Sequence, residues 1–330
     1  MSDTVNPAAA TKADKRAPDF FIVGHAKSGT SALYEMLRRH PEIYMPEDLK
    51  EPWFLARDME ARFQPPQAGP PVETLDEYLD LFAEARPEQR VGEASSSYLW
   101  SRTAAADIAR VQPDARIIAI LREPASFLRS LHLQLLRTHV ESRKDLRKAM
   151  SLQDARREGR RIPRRSHRPQ LLQYSDHVRY VEQLRRYFDL FRSEHVLVLI
   201  YDDFRRDNEE TVRKVLRLLE VDETLPVEVM DVNPTIGMRS QQLDERVHSV
   251  SVGRGSASRA TKATIKALTP QQLRRDFLRL TQRRIVAREP PPPDERFMLE
   301  LRRRFKPEVV ALSEYLDRDL VSLWGYDRVS

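Results

Sequence analysis

The chain has 330 residues, 40% hydrophobic and 32% charged, with 22 prolines, which allows one large α/β domain or two small ones around a substantial core. Cysteine is absent, which excludes disulfides and thiolate metal sites and suits a reducing compartment. The net charge of +6 rests mostly on arginine and fits either nucleic acid or an anionic nucleotide as partner.

Residues 1–17 lack the apolar core of a signal peptide. They read as a disordered leader on a soluble, cytoplasmic protein, ahead of a single domain over 18–330. No stretch approaches the roughly 18 to 20 consecutive apolar residues of a transmembrane segment. Asp19 to Gly24 (DFFIVG) is a short apolar run ending at glycine, the pattern of a buried parallel strand. A helix follows from Thr30 to His40, with Ala32, Leu33, Met36 and Leu37 on one face, and Pro41 closes it. Ile43 to Met45 fits a second strand, residues 57–74 a flexible surface insertion, and Thr74 to Ala85 a helix. Arg90 to Ala94 and Ala115 to Leu121 fit two further strands, the latter followed by a helix from Pro124 to Arg137.

Gln153 to Pro169 carries seven arginines and two prolines, a poor composition for packed structure, so 153–170 is expected to be flexible, with Arg156 to Arg168 serving as a lid, a grip for an acidic acceptor or a solvated loop. Tyr174 to Phe191 has helical spacing, His195 to Tyr201 is another interior strand, and Phe204 to Leu219 another helix. Residues 251–268, rich in Ser, Ala, Gly and Lys, are expected to form a third flexible insertion. Pro290 to Pro293 is a stiff break, and Phe305 to Trp324 an amphipathic helix. Alternating strands and helices imply an α/β, three-layer fold with a central, mostly parallel sheet flanked by helices. Ligands in such sheets bind beyond the carboxyl ends of the strands, and Gly24, Glu93, Arg122 and Tyr201 all lie at such ends.

The loop from Gly24 to Ser31 has the chemistry of an anion cradle. Its glycines let backbone N–H groups approach an oxyanion, and the following helix presents its positive end. Ser28, Thr30 and Ser31 add hydroxyls, and Lys27 adds a full charge. The spacing of Gly24 and Gly29 matches the triphosphate-binding P-loop, but Thr30 stands where that pattern has lysine. No Walker-type aspartate ends the strand at 115–121; Arg122 stands there instead. Both differences count against ATP with magnesium.

Lys27-Ser28-Gly29-Thr30-Ser31 resembles the 5′-phosphosulfate loop of the sulfotransferases that use 3′-phosphoadenosine 5′-phosphosulfate (PAPS). Arg122 with Ser130 resembles that family's 3′-phosphate site, an arginine at a strand end and a serine in the next helix. Lys50-Glu51-Pro52-Trp53-Phe54 is similar to the Lys-Glu-x-x-Phe segment of the carbohydrate and heparan-type branch. Softer likenesses are Val91 to Ser95, Val196 to Phe204, and Asn233-Pro234-Thr235 with Arg239-Ser240. The heparan-type histidine and aspartate after the glutamate are replaced by Trp53 and Ala56, which weakens a highly sulfated polysaccharide as acceptor.

The resemblance implies a P-loop-type sulfotransferase domain with PAPS as co-substrate and no required metal. Lys27, Ser28, Gly29, Thr30, Ser31, Arg122, Ser130 and Arg239 would bind the nucleotide, and Lys27 would stabilise the leaving group. Glu51 is the first choice of general base, Glu93 the second and His25 the third. Trp53 and Tyr98 are candidates to line the acceptor pocket, although aromatics at such spacings more often pack in a core. The acceptor would be a hydroxyl of a small molecule, carbohydrate or lipid. Two rival readings are a P-loop kinase and a nucleic-acid-binding protein; the second lacks zinc spacing and interleaved aromatics.

Overall fold

The run Phe20–Gly24 is buried at every position and forms β1, the middle strand of a five-stranded sheet. The computed structural model describes residues 15–47, 49–59, 72–226, 237–238, 287–288 and 292–329. Strands β2 (Ile43–Tyr44), β3 (Arg90–Glu93), β4 (Arg116–Leu121) and β5 (Val196–Ile200) complete the sheet in the order β2-β3-β1-β4-β5. Every pair in it is parallel. Gly237–Met238 (β6) and Ala287–Arg288 (β7) form a separate antiparallel pair.

Around the sheet run α1 (Thr30–Arg38), α2 (Leu75–Asp80), α3 (Ala104–Val111), α4 (Pro124–Arg137), α5 (Leu146–Met150) and α6 (Gln153–Arg157). They are followed by α7 (Tyr180–Phe188), α8 (Tyr201–Arg206), α9 (Asn208–Leu219), α10 (Glu295–Tyr315) and α11 (Leu320–Leu323). No helix among the described residues is long and apolar enough to cross a membrane.

Strand alternation divides the core into two layers. Phe20, Ile22, Ile118 and Ile120 face α1 and α9 through Leu33, Leu37, Val212 and Leu216. Phe21, Val23, Ile117, Ala119 and Leu121 face the other side, where Ile108, Phe127, Leu184 and Val309 pack. Gly92 is required in β3, because a Cβ there would lie 2.1 Å from the Phe20 ring. From β1 the chain builds one half of the sheet through β2 and β3, then crosses to build β4 and β5 on the other side. The carboxyl end of β1 is therefore the switch point at which an open parallel sheet leaves a crevice.

The N-terminus of α4 is held from far away. Glu123 caps it, accepting from the Ala125 and Ser126 amides at 3.0 and 2.7 Å. The Tyr326 hydroxyl donates to the same carboxylate at 2.6 Å. The 292–329 segment is further tied down by Trp324 Nε1 donating to Asp202 at 2.9 Å and by an Arg318–Asp203 ion pair at 2.5 Å.

Several elements differ from the sequence expectation. Helix α2 stops at Asp80, and the chain continues in tighter turns, with the Phe82 amide bonded to the Leu79 carbonyl at 3.0 Å. The stretch expected to be helical from Tyr174 opens as a 3-10 turn over Tyr174–Val178, because Tyr174 and His177 point inward to buried partners. The last long helix starts at Glu295, capped by Asp294 just beyond the prolines, and accommodates Pro307 in its interior. Residues 1–14, most of the 57–74 insertion, 251–268 and Arg239 lie outside the described residues.

The largest correction concerns 153–170, expected to be flexible. Gln153–Arg157 is helical, and Gln153, Arg156 and Ser166 are buried. Arg156 forks onto Glu141 at 2.7 and 2.8 Å. The Tyr174 hydroxyl and the Ser142 and Arg143 amides also donate to that carboxylate. Burial alone would raise the Glu141 pKa, but the Arg156 fork and the amides hold it below the usual carboxylate value. Glu141→Gln is expected to cost about 3–5 kcal/mol by leaving Arg156 buried without its counter-charge. Urea unfolding measures that loss, and pairing the change with Arg156→Met is expected to restore part of it.

Candidate functional site

Beyond β1 the backbone turns sharply against the neighbouring loop. Gly24 has φ 152°, and a Cβ there would lie 2.8 Å from the Ser96 carbonyl and 2.9 Å from Leu99 Cβ. The His25 amide bonds to the Ile120 carbonyl at 2.7 Å, which ties the loop to the end of β4. Gly29, left-handed at φ 90°, is the N-cap of α1, and the Ala32 and Leu33 amides both return to its carbonyl. The amides of Thr30 and Ser31 occupy the open first turn, where a helix has no carbonyls of its own to offer.

Under this loop His25 is 1% exposed, packed on Phe127 and Tyr180, with ring centroids at 4.9 and 5.4 Å. Gln183 Nε2 donates to the Asp176 carbonyl, so its Oε1 accepts from His25 Nε2 at 2.8 Å. Burial, helped by the neighbouring His177, lowers the His25 pKa to about 3. His25 is thus a neutral prop beneath the loop, which argues against its use as a base.

Cations gather above the prop. Burial lowers the Lys27 pKa to about 8, with the charges of Arg137, Arg122 and Lys50 pushing the same way. Arg122 Nη1 donates to the Lys27 carbonyl at 2.9 Å, and its guanidinium lies over the Tyr201 ring at 4.6 Å. Because Glu123 is consumed as the α4 cap, Arg122 is turned toward the loop rather than toward its sequence neighbour. Among the described residues no carboxylate pairs with Lys27, Arg122 or Arg137. Ser28 Oγ is buried without a hydrogen-bond partner among the described residues. Ser130 is buried in α4, two turns beyond Arg122, and Arg129 lies close enough to Arg122 for that charge to add to burial in lowering its pKa.

Two carboxylates stand beside the cations. Glu51 is partly open; it accepts from Lys50 at 3.1 Å, Ser96 Oγ at 2.7 Å and Trp53 Nε1 at 3.2 Å. Lys50 also reaches Thr30 Oγ1 at 3.4 Å, which links this carboxylate to the start of α1. Glu93 is 1% exposed and accepts from the Tyr78 hydroxyl at 2.9 Å. Burial, with Glu51 nearby, raises its pKa to about 7 despite hydrogen bonds from Ser95, Tyr78 and Tyr98.

The fold therefore brings Lys27 to Ser31, Glu51, Trp53, Glu93 and Arg122 to one rim. Tyr98, expected beside the acceptor, is fully buried, accepting from the Leu55 amide at 3.1 Å. It packs in the core because its ring lies under the 53–56 turn, not over the cleft. Trp53 does reach the rim, in a left-handed conformation with φ 60°, its amide bonded to Ser95 Oγ at 3.2 Å. The structure adds Lys50, Arg137 and Arg168 to the set. Arg137 stands at the end of α4, two helical turns beyond Ser130, and that spacing was its signal in the sequence. Arg168 lies in the arginine-rich run, whose composition suits a grip on an acidic acceptor as well as a solvated surface, and nothing local singles it out there.

A parallel sheet with an anion-cradling loop at its switch point and a cation at the end of the adjacent strand defines a phosphate-handling α/β class. Residues 18–224 match the family model described as "Sulfotransferase family", and the chain belongs to that family. A sulfotransferase from Alicyclobacillus acidocaldarius superposes with a TM-score of 0.64 at 26% identity, covering 93% of this chain and 98% of that one. Human carbohydrate sulfotransferase 15 is 30% identical over 151 residues, 35% of this chain and 27% of that protein. Human heparan sulfate glucosamine 3-O-sulfotransferase 3B1 is 30% identical over 122 residues, 37% of this chain and 28% of that protein. The chain thus spans between 27% and 28% of the length of these curated relatives.

Glu93 makes stability depend on pH. Its pKa is about 7 in the fold against an ordinary 4.5, so the folded state binds the proton more tightly. Its contribution is whole below the ordinary value and is lost as pH rises through about 7. Glu93→Gln is expected to flatten the fall in Tm between these two pH values. A melting series over that range checks it, and an unchanged slope would remove Glu93 as the source.

Proposed function

We propose that the chain moves the sulfuryl group of PAPS to an acceptor hydroxyl on a small molecule, carbohydrate or lipid. One observation carries this reading: Lys27, Arg122 and Arg137 share a rim without carboxylate partners among the described residues, above a buried Ser28 hydroxyl that has none. Such a site is short of negative charge and of hydrogen-bond acceptors, and a nucleotide bearing phosphate and sulfate oxyanions supplies both. Gly24 lets the loop turn tightly against the Ser96 carbonyl and Leu99, where a Cβ would lie at 2.8 and 2.9 Å.

In this reading the open amides at the start of α1, with Ser28, Thr30 and Ser31, hold the 5′-phosphate. Lys27 donates to the bridging oxygen and stabilises its growing charge. Preorganised donors of this kind are worth about 3–4 kcal/mol each. Arg122 and Ser130 hold the 3′-phosphate; Arg239 is proposed as a further contact. When bound, PAPS supplies a sulfuryl group on a good leaving group, so alignment and charge stabilisation are the protein's main tasks. Glu51 takes the acceptor's proton, because it alone of the two carboxylates opens to the cleft. Glu93 lies beneath it and is the second choice.

Adenosine 3′,5′-bisphosphate is expected to raise the melting temperature well above the effect of ATP with magnesium, since binding to the native state stabilises it. Equal stabilisation by ATP would overturn the proposal. Oxyanions favour charged Lys27, whose pKa in the free protein is about 8, so bisphosphate affinity is expected to fall as pH rises through that value. Titration calorimetry checks this, with Lys27→Met expected to give a flatter profile. Glu51→Gln is expected to lower turnover by about 100-fold or more, as loss of a general base does, while bisphosphate binding persists. Retained turnover in that variant, with loss in Glu93→Gln, would transfer the role to Glu93.

A further inference from the structure

Arg168 is built into the rim beside Trp53. Its guanidinium lies over the Trp53 ring at 4.2 Å, and Nε donates to the Met59 carbonyl at 3.2 Å. The same indole donates through Nε1 to Glu51 at 3.2 Å, so cation, aromatic ring and carboxylate form one connected wall. The segment that delivers Arg168 is anchored on both sides. Ser166 is buried, with its amide on the Pro163 carbonyl at 3.0 Å, and the Leu171 amide returns to the Arg168 carbonyl at 3.2 Å. The buried Arg156–Glu141 pair fixes the same segment from below.

What this arrangement leaves open is the guanidinium edge. Among the described residues no carboxylate forms an ion pair with Arg168, and its two terminal nitrogens have no acceptor. Stacking on an indole orients an arginine and screens one face from water while its forked edge stays available. The cations that act on Lys27 are Arg137, Arg122 and Lys50; Arg168 is not among them and acts instead on Glu51. The donor's oxyanions therefore have their own partners, and Arg168 faces whatever enters beside Glu51.

We propose that Arg168, oriented by Trp53, is a specificity-determining residue that reads an oxyanion, a carboxylate or a sulfate, carried by the acceptor close to its reacting hydroxyl. This rests on the reading of Glu51 as the carboxylate that faces the acceptor. A planar guanidinium edge takes two oxygens of such a group side by side, which fixes orientation as well as affinity. Glu51 offsets the charge from a distance, but a neutral acceptor would leave the forked edge without a paired oxyanion.

The test uses the full chain saturated with adenosine 3′,5′-bisphosphate and titrated by calorimetry with three probes: benzoate, benzenesulfonate and benzyl alcohol. The better-bound anion is expected to exceed the alcohol by about tenfold or more, the scale of one charge-assisted contact. The tighter of the two anions identifies the group as carboxylate or sulfate. Arg168→Met keeps an unbranched chain over Trp53, and its preference for anions is expected to shrink to within about twofold. Arg168→Lys, with a charge but no fork, is expected to fall between. Bisphosphate binding by each variant reports that the fold and the donor site are intact. An anion preference that survives in Arg168→Met overturns the proposal, and so does a wild-type chain that binds bisphosphate but shows no preference. If the wild-type chain fails to bind bisphosphate, the PAPS reading falls; the same titrations without it then still decide the anion preference of Arg168.

Discussion

Everything at the rim depends on holding like charges together without their usual partners. Lys27, Arg122 and Arg137 repel one another, and burial removes part of the water that would screen them. The free protein carries this cost in part because Lys27 and Arg122 are fastened by something other than a carboxylate. Arg122 is fixed by the Lys27 carbonyl and the Tyr201 ring, and Lys27 by a loop tied to β4 and propped on His25. The carboxylate nearest Arg122 in sequence is spent on capping α4. The unpaired charge is available because the fold has used its nearest neutraliser elsewhere.

The two carboxylates show how environment separates chemically similar groups. Glu51 sits among a lysine, a serine and an indole N–H, half open to the cleft. Glu93 is enclosed by tyrosines and a serine, and burial raises its pKa to about 7. One is placed to meet a ligand and the other to shape the floor under it. The same contrast holds for arginines: Arg156 is paired directly with a carboxylate within the core, whereas Arg168 is oriented by Trp53 and has no direct ion pair among the described residues.

How much of this the sequence discloses depends on the range of the interactions. The strand, turn and helix from Phe20 to Arg38 were legible because apolar runs, glycine and a following amphipathic stretch are local signals. Strand β4 and Arg122 at its end were legible for the same reason. The 153–170 segment was not, because its composition suggests solvent exposure while its structure depends on Glu141, a residue in another segment. For Tyr98, spacing does not tell which way an aromatic turns; the packing around the 53–56 turn decides that. The expected helix from Phe305 starts late, because the signal for the true start is Asp294, a cap set directly after the prolines.

The Tyr326–Glu123 hydrogen bond has a consequence for how the molecule forms. It joins positions 203 residues apart, and it completes the cap that orients α4 and leaves Arg122 aimed at the loop. The residues matching the family model end at 224, so this contact lies partly outside them. A chain emerging from the ribosome can assemble its parallel sheet before Tyr326 exists, but the helix beside the cradle has its cap completed only afterwards.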